Sequence, residues 1–130
     1  MDLQKLEKVN EQRRAIRHLL SPDDPADALT SYYALWHDPR RTQLALHHNA
    51  KGEVDGFINL SQTGVDLFRP LATLRAPDEA SVADLVQGAL IPERSYLMVI
   101  PVTLASAVRQ HLDVARSTLN RVYRLDPVRF

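Results

Sequence analysis

Apolar residues recur at helical spacing over the first twenty positions. Leu3, Leu6, Val9, Ile16, Leu19 and Leu20 form a stripe that Arg13 interrupts, which predicts an amphipathic helix over residues 2–20. "SPDDP" (21–25) ends it, because Pro25 disfavours helix at Asp24. A second helix is expected over 26–36, with Ala28, Leu29, Tyr32, Tyr33, Leu35 and Trp36, and "HDPRR" (37–41) breaks it. The period then changes to two. In "TQLALHH" (42–48), Leu44 and Leu46 share one face, while Gln43, Ala45 and His47 take the other. In "VDGFINL" (54–60), Val54, Gly56, Ile58 and Leu60 share a face. The connector "NAKGE" (49–53) offers Gly52 for a positive φ, so the two runs read as a β-hairpin.

A third strand is expected over 66–75, with an irregularity at Pro70, which has no N–H for a ladder bond. A helix fits 79–90, with Val82, Leu85, Val86, Ala89 and Leu90 on one side. "SYLMVI" (95–100) suits a central strand covered on both faces. Pro101 opens a short helix to about 111, and the alternation in "ARSTLNRVYRL" (115–125) predicts a last strand. The order is α-α-β-β-β-α-β-α-β in a single domain of 1–130. The fold class is α+β, a mixed sheet with helices packed on both faces.

Composition changes this picture little. The 16 basic and 16 acidic residues cancel, which argues against general affinity for nucleic acid or an anionic membrane surface. There is no cysteine, so disulfides, thiol catalysis and cysteine metal sites are excluded, and a cytoplasmic location fits. No apolar run approaches a membrane span of about 20 residues. The polar start "MDLQKLEKVNEQRR" lacks the apolar core of a signal peptide.

The element order resembles the GNAT (GCN5-related N-acetyltransferase) fold over nearly the whole chain. That family's usual first strand would precede residue 2, and its last strand is not matched in this order. The resemblance implies an acetyl-CoA pyrophosphate site after the third strand of this order. Catalytic members carry Gln/Arg-x-x-Gly-x-Gly/Ala there, so that backbone N–H groups and a free helix N-terminus face the phosphates. Here the stretch reads Arg75-Ala76-Pro77-Asp78-Glu79-Ala80-Ser81, without glycine. Pro77 removes a donor, Asp78 is a good N-cap, and Glu79 adds a second negative charge. The family also implies a Tyr acid in the helix after the apolar strand. "TLASAVRQHL" (103–112) has none, which leaves His111, and Tyr123 on the last strand, as the candidates.

Other chemistry is sparse. His47 and His48 are adjacent on a strand and point to opposite faces, so one metal cannot easily take both, and no metal site is expected. There is no Gly-x-Ser-x-Gly elbow. Asp23–Asp24 and Asp78–Glu79 each stand at an expected helix start, where capping explains them. Arg40, Arg41, Arg69 and Arg75 could gather at one end of the sheet and take an anion. Tyr32, Tyr33 and Trp36 cannot all face inward on one helix, and they are the substrate-side candidates.

Two readings follow. In the first, a GNAT-like domain without standard acetyl-CoA catalysis binds a small-molecule ligand or a protein, a homodimer included, and needs no cofactor. In the second, a divergent N-acyltransferase holds acetyl-CoA through Arg75 and Ser81, with His111 or Tyr123 as acid. A structural subunit of a larger complex is the third possibility.

Overall fold

The computed structural model describes residues 2–113. The expected strand over 115–125, and Tyr123 with it, lie outside the described residues. Helix α1 (Leu3–Ile16) starts where the Asp2 carboxylate accepts from the Gln4 N–H at 2.9 Å, and a 3₁₀ turn (Arg17–Leu19) follows it. Helix α2 (Ala28–Ser31) is only one turn long. It is preceded by a 3₁₀ turn (Pro25–Asp27) capped by Asp24 and continues as a π-helical turn (Tyr32–Trp36). The single long helix expected over 26–36 is therefore three different windings. The His37 N–H reaches back to the Tyr32 carbonyl at 2.8 Å and closes the wide turn.

Strand β1 (Thr42–His48) and strand β2 (Val54–Ser61) form the predicted hairpin, with Gly52 at φ 82° in its loop. Strand β3 (Leu71–Arg75) is antiparallel to β2, helix α3 (Glu79–Ala89) follows it, and strand β4 (Leu97–Val99) is parallel to β3. A 3₁₀ turn (Val102–Leu104) leads into helix α4 (Ala105–His111). The result is α+β, a four-stranded mixed sheet in the order β1-β2-β3-β4.

Both faces of the sheet are covered. On one, Ile58 and Leu74 pack against Val82, Leu85 and Val86 of α3 and Val108 of α4. On the other, Phe57 packs against Ile16 at the end of α1, Leu20 after it, and Ala34 and Leu35 of the π turn. Phe57, Ile58, Leu74 and Val82 have no exposed surface, and each such burial stabilises by about 1.5–3 kcal/mol. Arg13, the interruption in the first stripe, is buried for a reason. Its Nε donates to the Ala34 carbonyl at 3.0 Å, and its Nη2 donates to the His37 carbonyl and, at 3.4 Å, to Thr42 Oγ1. The side chain ties α1 to the C-terminal end of the π turn, where carbonyls lack helical partners.

Three expectations need correction. The third strand covers 71–75 rather than 66–75. Asp66 instead closes a turn, accepting from the N–H groups of Phe68 and Arg69, both at 2.9 Å, and Pro70 cannot extend the ladder. The strand expected over 95–100 is paired only at 97–99, and among the described residues β4 is an edge strand rather than a central one. Val54 does not share the face of Ile58. The register slips between His47 and His48, so that Val54 packs with the Phe57 group. A bulge inserts one residue and reverses alternation beyond it.

Candidate functional site

The junction between β3 and α3 is built against Gly56. A Cβ there would lie 2.8 Å from the Arg75 carbonyl oxygen and 3.3 Å from the Ala76 Cα, so only glycine lets β2 pass under this turn. The turn leads to the α3 N-terminus, which Asp78 occupies. One carboxylate oxygen accepts from the Ser81 N–H at 2.8 Å and from the Ser81 hydroxyl at 2.7 Å. These bonds, first the one from the hydroxyl, hold the Asp78 pKa below its ordinary value. Ser81 is itself buried. Arg75 turns the other way. Its Nη2 meets Asp27 Oδ1 at 3.0 Å, and its Nη1 donates to the Leu74 carbonyl at 3.0 Å. The two residues assigned to a cofactor are thus engaged with Asp78 and Asp27.

Beside this junction stands a cluster that sequence reasoning missed. His47 Nδ1 lies 2.5 Å from Asp55 Oδ1, and its Nε2 lies 3.5 Å from Asp84 Oδ2 on α3. The hydrogen bond with Asp55 is the largest reason that the His47 pKa is raised, with Asp84 adding to it against partial desolvation. Both ring nitrogens face carboxylates, so each N–H of the protonated ring would have an acceptor. Among the described residues no group of three His or acidic side chains could hold a metal ion. His48 is exposed, on the opposite face of β1.

The aromatic candidates sit on the π turn. Tyr32 is 52% and Trp36 67% exposed, and Leu29 continues the stripe at 45%. Tyr33 is half-buried, edge-on to Tyr32 at 5.0 Å between centroids and 5.2 Å from the His37 ring. The Arg17 guanidinium lies 5.6 Å from the Trp36 ring centroid. His37 is hydrogen-bonded through Nε2 to the Gln62 carbonyl at 2.8 Å, which ties the turn to the β2–β3 loop. That loop exposes Val65, Leu67 and Phe68 almost completely. On this π turn, exposed aromatic area and an irregular helix coincide.

The arginines divide between the two ends of the sheet, with Arg40, Arg41 and Arg69 near the Thr42–Ser61–Leu71 end and Arg75 at the other. Arg40 pairs with Asp38 at 3.0 Å, Arg69 with Asp66 at 2.8 Å and Arg75 with Asp27. Only Arg41 joins Asp66 and Arg94 around a small hollow of about 120 Å³. His111 ends α4 as an exposed residue. β3 and β4 are last paired at Thr73–Val99, where β4 ends, while β3 runs on to Arg75. No helix among the described residues is long and apolar enough to cross a membrane.

No protein-family model matches the chain, and no curated protein matches it.

Proposed function

We propose that this chain is a GNAT-like domain that has set aside standard acetyl-CoA catalysis and serves as a ligand-binding or protein-interaction module, with a homodimer among its assemblies. The observation that carries this reading is the Asp78 carboxylate seated on the α3 N-terminus, bonded to the Ser81 N–H and hydroxyl. A pyrophosphate needs those donors and a positive helix end. Asp78 takes the donors, and with Glu79 it places negative charge in the first turn. Arg75, the cation that reading would place on the phosphates, is held by Asp27. The ligand side of this reading is the exposed aromatic turn of Tyr32, Tyr33 and Trp36.

The second reading is a divergent acyl-CoA-dependent N-acyltransferase, whose ligand would meet the carboxyl end of β3, where pairing with β4 stops at Thr73–Val99. Ligands of open sheets favour the carboxyl ends of strands. Isothermal titration of CoA and acetyl-CoA into the protein decides between the two. No heat at millimolar CoA supports the first reading. Micromolar binding that Arg75→Ala weakens replaces it with the second, and amine acceptors are then screened with His111→Ala and Tyr123→Phe as controls.

A further inference from the structure

The long free edge of the sheet belongs to β1. The Gln62 N–H donates to the Arg41 carbonyl at 3.0 Å, which fixes the hydrogen-bonding phase of the hairpin. Gln43, Ala45 and His47 share that phase, so Leu44 and Leu46 turn their N–H and C=O groups away from β2. Among the described residues no strand pairs with them. Gln12 Nε2 donates to the Leu44 carbonyl at 3.0 Å and satisfies one outward group.

A hollow of about 440 Å³ runs along this edge, with α1 as one wall and the end of α3 as the other. The α1 wall carries Lys5, Lys8 and Gln12, one helical stripe. Both lysines are exposed, and neither has a salt-bridge partner among the described residues. The α3 wall is Gly88 and Ala89. A Cβ on Gly88 would meet nothing within 4 Å, so no contact among the described residues requires glycine there. A glycine inside a helix costs about 1 kcal/mol relative to alanine. Its effect is to keep the wall low beside an edge whose next strand would lie about 4.8 Å away.

We infer that the β1 edge is a strand-addition site for an extended acidic segment of a partner protein, with carboxylates toward Lys5 and Lys8 and β-branched apolar side chains toward Gly88 and Ala89. Charge selects this occupant. Two-fold pairing of β1 with a second copy would set α1 beside α1 and lysines beside lysines, and β1 itself carries no acid. Residues 114–130 of the chain carry Arg116, Arg121, Arg124 and Arg129 against Asp126, the wrong sign for the groove. The main chain supplies affinity and the alternating side chains supply selectivity, as in other strand additions. The proposal rests on the interaction-module reading but concerns a different surface from the β3–α3 junction.

The test is fluorescence anisotropy with a labelled Val-Glu-Val-Glu-Val-Glu peptide and its Val-Lys counterpart on the full chain. The acidic peptide should bind, weaken as salt rises, and exceed the lysine peptide by at least roughly tenfold. Gly88→Leu should weaken binding by at least about tenfold while leaving the melting temperature unchanged or higher, because leucine is the better helix former. Lys5→Glu with Lys8→Glu should reverse the peptide preference. Absent binding, equal binding of both peptides, or unchanged binding by Gly88→Leu overturns the proposal. A dimer in sedimentation that Gly88→Leu dissociates overturns it in favour of self-pairing. A positive CoA titration would defeat the non-catalytic reading and leave these peptide outcomes intact, so the two failures are distinguishable.

Discussion

Replacing Arg13 by methionine removes the side chain that joins α1 to the π turn. Two strong bonds are lost, Nε to the Ala34 carbonyl and Nη2 to the His37 carbonyl, along with the longer contact to Thr42 Oγ1. Hydrogen bonds from a charged donor contribute about 1.5–3 kcal/mol each. The Ala34 carbonyl belongs to a residue with no exposed surface, so it keeps most of that penalty. The His37 carbonyl belongs to a half-buried residue and recovers part of its loss to water. Burial lowers the Arg13 pKa, a sign that the guanidinium itself is desolvated at some cost, and methionine returns that cost. The balance is a loss of about 2–4 kcal/mol, a large share of a typical domain's 5–15 kcal/mol. Urea denaturation followed by circular dichroism measures it directly. Hydrogen exchange should show the loss of protection concentrated at residues 32–37. Arg13→Lys should fall between, since one ammonium reaches one carbonyl well but not the forked pair. A methionine variant within about 0.5 kcal/mol of the parent would refute the assignment, because a surface substitution does as little.

Gly56→Ala should destabilise by about 1–3 kcal/mol in the same assay, since its Cβ meets backbone atoms of the β3–α3 turn that cannot rotate away. Gly56→Ala as stable as the parent would mean that this turn shifts freely. The His47 cluster predicts a pH dependence. The folded His47 pKa is raised, so the stabilisation from Asp55 and Asp84 is fully present below the unfolded value near 6.5 and is lost as pH rises through the folded value. Asp78 adds a third negative charge on the same side. Melting temperature should therefore fall as pH rises across that window, and His47→Gln should flatten the slope. An unchanged slope in that variant would place the titrating group elsewhere.

The hairpin was legible because two independent signals agreed, alternation on both runs and a glycine where a positive φ was needed. Helix α3 was legible for a similar reason: its apolar spacing and the Asp78 cap marked the same start. The cap was expected to take helix N–H groups, and its partner is Ser81, the residue assigned to a cofactor. What was not legible came from geometry that one residue can change. The bulge at His47/His48 moves Asp55 to the His47 face, and no alternation pattern announces a bulge. The apolar residues Leu67 and Phe68 looked like strand, yet the Asp66 turn exposes them. Period alone cannot separate an apolar strand from an apolar loop. Arg13 looked like a flaw in a stripe, because its partners are main-chain carbonyls some twenty residues away, which carry no residue signature. The buried polar group of Asn59, Ser61 and Thr73 is similar. Asn59 Nδ2 donates to Ser61 Oγ at 3.0 Å across one strand's pleat, inside a run that reads as ordinary β-sequence.

Where the charges are spent decides which surfaces remain for a partner. Arg40 and Arg69 each close on a local aspartate and Arg75 on the distant Asp27, so these arginines hold turns and elements together. His47 is enclosed by carboxylates, and Asp78 is committed to a helix end. The fold has used these groups internally, which makes the β3–α3 junction a poor place for a phosphate. Lys5 and Lys8 differ in kind. They stand in line beside outward-facing main-chain groups, opposite a helix wall kept low by Gly88. An exposed edge of this length invites unwanted pairing, and natural sheets protect such edges with charge, above all lysine. Lysines that repel a second copy of the edge while leaving its N–H groups open protect it and select its partner at the same time. That dual effect makes the β1 edge, rather than the junction, the surface on which this chain's chemistry is most specific.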